Sequence, residues 1–187
     1  MVEPTQSAKH PQPTWLACKM VAYAVSFLAF ILVGVPTAFH YLGEFVYPDV
    51  WGQWLDRVPA LRDLGVVLFV VGIVGYLISS LWLVIVGKGP FVEFDPPTEF
   101  VATGPYRWMR NPIAAMLLLT ILGEAAFWHS PGILTLFLLG FPIAQLQVTR
   151  IEEPRLKARF GESYLEYCRN VPRWLPKRPK REPTASS

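Results

Sequence analysis

The chain alternates long apolar runs with compact polar blocks. Met20 to Gly43 and Leu64 to Val86 contain no Lys, Arg, Asp or Glu, and each supplies the ~20 residues a helix needs to cross a hydrocarbon core of ~30 Å. From Ile113 to Thr149 the one charged residue is Glu124, and His129-Ser130-Pro131-Gly132 sets a sharp turn that predicts two shorter helices. The pattern therefore predicts an all-α integral membrane protein with about four transmembrane helices, the third and fourth forming a short hairpin. Further on, Leu156, Phe160, Tyr164 and Tyr167 recur at helical spacing among Arg155, Lys157 and Arg159, which predicts an amphipathic C-terminal helix at the cytoplasmic membrane surface. Gly161 interrupts that pattern and leaves room for a break into two short helices.

Details within the runs refine this picture. Pro36 and Pro142 lie inside apolar stretches, where the missing amide hydrogen predicts kinks. Gly65, Gly72 and Gly75, with Ser79 and Ser80, predict close helix packing. Trp51, Trp54, Trp82, Trp108, Trp128 and Trp174 fall near the ends of runs, where amphipathic rings settle at the headgroups. Glu124 sits close to the outer turn, and either solvent there or a polar contact in the bundle accounts for it.

Composition supports a membrane domain: 52% of the 187 residues are hydrophobic, with seven Trp and twelve Phe, well toward the membrane side of ordinary usage. One domain is expected over 1–176, followed by a basic disordered tail over 177–187 in which Pro and charge leave nothing to bury. A mostly polar stretch precedes the first run, and the run is too long for a signal h-region, so it is expected to stay in place. Cys18 and Cys168 share no metal spacing and lie near opposite termini, so no metal site or disulfide framework is expected.

Orientation follows from the basic residues. Arg150 to Ser187 holds ten Lys or Arg against five Glu, whereas Glu44 to Asp63 holds two Arg against four acids. Both termini and the loop from Gly87 to Asn111 are therefore expected in the cytoplasm, with the protein in an inner or plasma membrane. The net charge of +3 fits contact with anionic membrane lipids rather than nucleic acid, for which no binding motif is present. The sequence leaves the oligomeric state open.

The chemistry gathers on that cytoplasmic face. Thr103-Gly104-Pro105-Tyr106-Arg107-Trp108-Met109-Arg110-Asn111-Pro112 makes a tight turn and then starts a helix with proline where its missing donor costs nothing. Arg107 and Arg110 stand at the mouth of that helix and can hold a carboxylate by paired hydrogen bonds, or alternatively snorkel among headgroups. A helical hairpin returns the chain to the same face at Arg150-Ile151-Glu152-Glu153-Pro154. Adjacent Glu152 and Glu153 point about 100° apart on a helix, which suggests two separate jobs. A solvated helix start with acids favoured by its dipole is the other reading.

Taken together, the block Thr103 to Pro112, Arg150-Ile151-Glu152-Glu153, Phe160-Gly161-Glu162-Ser163-Tyr164-Leu165-Glu166-Tyr167 and Val171-Pro172-Arg173-Trp174-Leu175-Pro176 resembles the isoprenylcysteine carboxyl methyltransferase and phospholipid methyltransferase superfamily of integral membrane enzymes. The resemblance covers about the last hundred residues. It implies S-adenosyl-L-methionine as cofactor, with S-adenosyl-L-homocysteine as product, held by the region 87–176. It carries Arg110, Asn111 and Pro112 onto the family's Arg-His/Asn-Pro element, Glu152 and Glu153 onto its paired glutamates, and Gly104 and Tyr106 onto the preceding turn. Arg107, Tyr164 and Tyr167 join these as expected cofactor neighbours, and Arg110, Glu152 and Glu153 are the expected catalytic residues. The chain departs from the family pattern at Ala114 and Met116, where Tyr and Gly are usual.

The implied partner is a lipophilic small-molecule or lipid-linked acceptor, first an isoprenylcysteine-like carboxylate, then a phospholipid amine or a thiol. Two other classes stand beside it: a non-catalytic membrane protein that binds ligand with the same fold, and a reductase of the sterol type. Methyl transfer from a sulfonium needs in-line alignment more than a strong base; for an amine or thiol, Glu152 or a water it orders could take the proton.

Overall fold

The computed structural model describes residues 25–47, 58–87 and 100–177. Expectations for Cys18, Trp51, Trp54, residues 88–99 of the Gly87 to Asn111 loop and the tail beyond Lys177 lie outside these residues. The chain forms two compact units, Met1–Val35 and Pro36–Ser187. In the first, the described residues are helical and apolar, with Val25, Phe27, Phe30 and Val33 exposed.

All regular structure among the described residues is helical: α1 Val35–Val46, α2 Ala60–Gly87, α3 Pro112–Phe127, α4 Pro131–Gln147, α5 Glu153–Phe160 and α6 Glu162–Asn170. Three helical paths are long and apolar enough to cross a membrane: Val25–Val46, Ala60–Gly87 and Pro131–Phe160. The outward display of Val67, Leu77, Leu81, Ile85, Leu138 and Ile143 suits a hydrocarbon surround rather than water. α3 is also apolar, but its sixteen residues fall short of the ~20 of a full span.

Glycines set how α2 and α3 pack. A Cβ added at Gly65 would stand 2.8 Å from the Gly123 carbonyl oxygen, and one at Gly123 would stand 2.8 Å from the Gly65 oxygen, so the two backbones are in contact there. One further contact along, Gly72 meets Thr120, and then Gly75 meets Met116. The expected turn ends α3: His129 takes φ 50°, and Ser130 caps α4 by accepting from Ile133 N at 3.3 Å. Ser130 also bonds His40 of α1 at 2.9 Å, while Gly43 and Gly132 bring α1 against the start of α4. Glu124 lies one turn from the end of α3 and is buried.

Two π-turns interrupt the helices, Phe30–Gly34 and Val148–Glu152. Each is followed two residues later by a proline, Pro36 and Pro154, whose missing amide and bulky ring disturb the carbonyl four residues before it. A locally wider turn relieves that conflict. Pro142, by contrast, lies inside α4 without breaking its assignment as an α-helix. The chain runs helically from Pro131 to Phe160 and breaks at Gly161, whose φ of 56° and ψ of −129° suit glycine.

Candidate active site

The block from Thr103 begins with a 3-10 turn, Gly104–Arg107. Gly104 takes φ 59°, and a Cβ there would lie 2.6 Å from the Trp82 ring nitrogen, so both conformation and space require glycine. Trp82 in turn donates to the Thr103 hydroxyl at 3.2 Å, which ties the turn to the end of α2. Tyr106 points inward and is buried, Arg107 is exposed, and Pro112 opens α3.

Arg110 reaches the elements that follow α4. Its Nη1 lies 3.0 Å from Glu153 Oε1 and donates to Cys168 Sγ at 2.8 Å. Glu153 also receives a two-pronged bond from Arg173, Nε to Oε1 at 2.7 Å and Nη2 to Oε2 at 2.9 Å. This fork geometry is the strong form of an arginine–carboxylate pair, and it raises the Arg173 pKa. Two guanidinium groups thus share one carboxylate, leaving an excess of one positive charge in a part-buried place. Arg110 Nε is buried without a hydrogen-bond partner among the described residues.

Arg173 arrives on a strap, Val171 to Lys177, that lies along the block. Arg110 N donates to Pro172 O at 2.8 Å, Asn111 N to Arg173 O at 3.2 Å, and Lys177 N to Trp108 O at 3.0 Å. The Asn111 side chain donates to the same Arg173 oxygen at 3.4 Å. Trp174 packs on Phe141 of α4 with ring centroids 5.4 Å apart and donates to Gln145, so it serves as a packing residue.

Beneath the cluster is an aromatic nest. Phe100 packs on Phe160, Tyr164 and Tyr167 at centroid distances of 5.3, 6.0 and 5.2 Å. Tyr167 donates its hydroxyl to the Tyr106 carbonyl at 2.6 Å. Tyr164 and Tyr167 are buried in this nest, where they pack α6 against the turn. Burial pushes the hydroxyl pKa of Tyr106 up, with Glu152 and Tyr167 adding to the rise. Burial likewise raises Tyr164, and raises Tyr167 against the opposing pull of Arg110. Glu152 is therefore near Tyr106 while remaining exposed.

The geometry gathers Arg110, Glu153, Asn111, Tyr106, Tyr164 and Tyr167 in one place, with Glu152 at its edge and Gly104 and Pro112 shaping the backbone. It leaves Arg107 at the surface. Sequence reasoning missed Arg173 and Cys168 as members of the cluster; Val171-Pro172-Arg173-Trp174 was legible as a motif, but nothing in its spacing revealed that it folds back. The π-turn carrying Arg150, Ile151 and Glu152 was also missed, although Pro154 was a signal for it.

On the other side of the block lies an apolar cavity of about 250 Å³, lined by Gly75, Ile78 and Ser79 of α2, Pro105, Trp108 and Met109 of the block, Pro112 and Met116 of α3, and Pro176 of the strap. A polar, charged cluster and an apolar cavity thus flank the same ten residues.

The chain is 29% identical over 126 residues to the cobalt-zinc-cadmium resistance protein CzcN of Cupriavidus metallidurans, covering 67% of this chain and 53% of that protein. It is 27% identical over 127 residues to the nickel-cobalt-cadmium resistance protein NccN of Alcaligenes xylosoxydans xylosoxydans, covering 67% and 55%. The chain thus spans about half the length of these curated relatives. No solved structure matches it. The phospholipid methyltransferase family model matches residues 61–163, a stretch that runs from α2 to the start of α6 and takes in Arg110, Glu152 and Glu153, and the chain belongs to that family.

Proposed function

We propose that the protein transfers a methyl group from S-adenosyl-L-methionine to a hydrophobic or lipid-linked acceptor at the membrane surface. The observation that carries this reading is the Arg110–Glu153–Arg173 cluster standing across one turn from an apolar cavity. Family membership supports it independently. The reaction needs such an arrangement because a polar donor and an apolar acceptor must meet in line.

The residues fit the cofactor's chemistry. The excess positive charge of two guanidinium groups on one carboxylate, with Arg110 Nε still unpartnered and buried, suits a carboxylate such as that of the methionine moiety. Exposed Glu152 suits a hydroxyl or ammonium donor. S-adenosyl-L-methionine supplies an electrophilic methyl group on a sulfonium. Glu153 holds both arginines and orients them with both its oxygens, and Glu152 is the carboxylate to which this reading gives the proton when the acceptor is an amine or thiol. A carboxylate acceptor has no proton to lose, and an isoprenylcysteine-like carboxylate is the first acceptor to test.

The test is titration of the purified protein in nanodiscs with S-adenosyl-L-homocysteine, followed by transfer of labelled methyl to prenylated thiol acids, aminophospholipids and small thiols. Binding with turnover on at least one apolar acceptor is expected. Turnover only on a water-soluble sugar or nucleotide would overturn the acceptor class, and absence of cofactor binding would overturn the transferase reading.

A further inference from the structure

The apolar cavity is an open groove, and where it stops between the helices is determined by the α2–α3 packing. Gly65 meets Gly123 and Gly72 meets Thr120 through direct backbone approach, so no space remains between the helices at those levels. One turn nearer the Thr103–Pro112 block, Met116 fills the gap that Gly75 leaves: a Cβ at Gly75 would stand 2.8 Å from Met116 Cγ. Met116 and Gly75 both line the cavity, and beyond them come Thr120, with no exposure, and Gly72. The flexible thioether of Met116 is therefore the floor.

We infer that this cavity receives the apolar segment of the methyl acceptor next to its reacting atom, and that Met116 sets how much of that segment fits. The inference rests on the transferase reading for the identity of the occupant. Its walls argue for an unbranched or lightly branched hydrocarbon segment: Ile78, Trp108, Met109 and Met116 are apolar, and the one hydroxyl, Ser79, already donates to the Gly75 carbonyl at 2.7 Å. An apolar cavity whose one hydroxyl is already satisfied favours hydrocarbon over water. Size limits the segment. A cavity of ~150 Å³ holds benzene, so this larger one takes about eight to ten heavy atoms, fewer than a long acyl or polyprenyl chain carries. The remainder of a long acceptor would lie outside the cavity, where length no longer matters.

The test uses a homologous series of S-alkyl-N-acetylcysteines from butyl to hexadecyl, each carrying a terminal bromine, with the full chain in nanodiscs. Quenching of Trp108 fluorescence, identified as the part lost in Trp108→Phe, reports binding without any methyl transfer. Affinity, referred to the acceptor concentration in the nanodisc lipid, is expected to rise with each methylene while the chain gains packing contacts in the cavity, and then to level off, because further methylenes lie in hydrocarbon whether bound or free. Met116→Ala should move the break to longer chains. Gly75→Ala, which pushes the thioether into the cavity, should move it to shorter ones, and S-adenosyl-L-homocysteine titration and thermal melting identify variants that stay folded. A break that stays at the same length in folded variants of both kinds, or no break at all, overturns the assignment even if methyl transfer is found. A break that moves as stated upholds the assignment even where transfer is absent, in which case only the transferase reading fails.

Discussion

The Arg110 guanidinium lies 3.0 Å from the Glu153 carboxylate, although a turn and two helices separate the residues along the chain. Their meeting follows from the return of α4 to the level where α3 began, and from the π-turn Val148–Glu152 that rotates the helix just before Glu153. The pair is part-buried, with side chains 12% and 19% exposed, so each charge depends on the other. Removing one member leaves its partner with poorer compensation.

Replacing Arg110 or Glu153 by Ala should therefore weaken S-adenosyl-L-homocysteine binding or methyl transfer far more than replacing Arg178 or Lys180, and Glu152→Ala should weaken them through the contacts with cofactor or acceptor proposed for it. A loss of ~2 to 5 kcal/mol is typical when a charged partner stays desolvated, and the Arg110–Glu153 double variant should fall short of the sum of the singles by ~1 to 3 kcal/mol. Calorimetric titration of folded variants decides it. Core variants that bind like the parent would remove these residues from the cofactor site.

Arg173 offers a sharper comparison, because its fork contacts both oxygens of Glu153. Arg173→Lys keeps the charge but loses the fork, and should recover less than half of what Arg173→Ala loses in binding free energy. Full recovery by lysine would mean that charge alone suffices at the strap.

Much of this arrangement was legible in the sequence, and what was not has a common cause. Helix existence followed from apolar runs, the turn at His129 to Gly132 from its residues, and the return of Glu153 toward Arg110 from a hairpin of two short helices. The strap was not legible, because its pairing of Arg110 N with Pro172 O and Lys177 N with Trp108 O is made by backbone groups that leave no periodic side-chain mark. The helix that continues through Pro154 was hidden for a related reason. Proline usually signals a start or a break, whereas here a π-turn absorbs it. Tyr164 and Tyr167 were legible as an apolar face, but their burial against Phe100 depends on a segment far away in sequence.

The distribution of basic residues carries an expectation of sidedness that reporter fusions can test. Reporter fusions at Lys9, near Asp56, near Glu93 and after Lys180 are expected to read cytoplasmic, external, cytoplasmic and cytoplasmic. An external reading after Lys180 would reverse the orientation.

Gly161 isolates a backbone effect. A Cβ there would meet nothing within 4 Å, yet the residue holds φ 56°. Gly161→Ala should cost about 1 to 3 kcal/mol through conformation alone, seen as a lower melting temperature, and Gly161→Asn should lose about as much, because asparagine's tolerance of positive φ belongs to the left-handed helical region and not to a ψ of −129°. Equal melting of alanine variant and parent would show that α5 and α6 can join without the bend.

The aromatic nest predicts a particular alkaline response. Tyr106, Tyr164 and Tyr167 all have hydroxyls raised above the ordinary value of 10.0 by burial. Below pH 10 these groups are protonated in both folded and unfolded chains, so their contribution to stability is complete there. As pH rises past the unfolded value the unfolded chain releases protons that the folded one keeps, and stability falls by about 1.4 kcal/mol per pH unit for each tyrosine until its folded pKa is reached. Tyr164→Phe should make that alkaline decline shallower by about one tyrosine's share. Tyr167→Phe should do the same above pH 10, while at neutral pH it should lose about 1 kcal/mol with the bond to the Tyr106 carbonyl. Denaturant midpoints measured at neutral and alkaline pH separate the two effects. An alkaline slope that neither substitution changes would mean that these hydroxyls reach water in the folded protein.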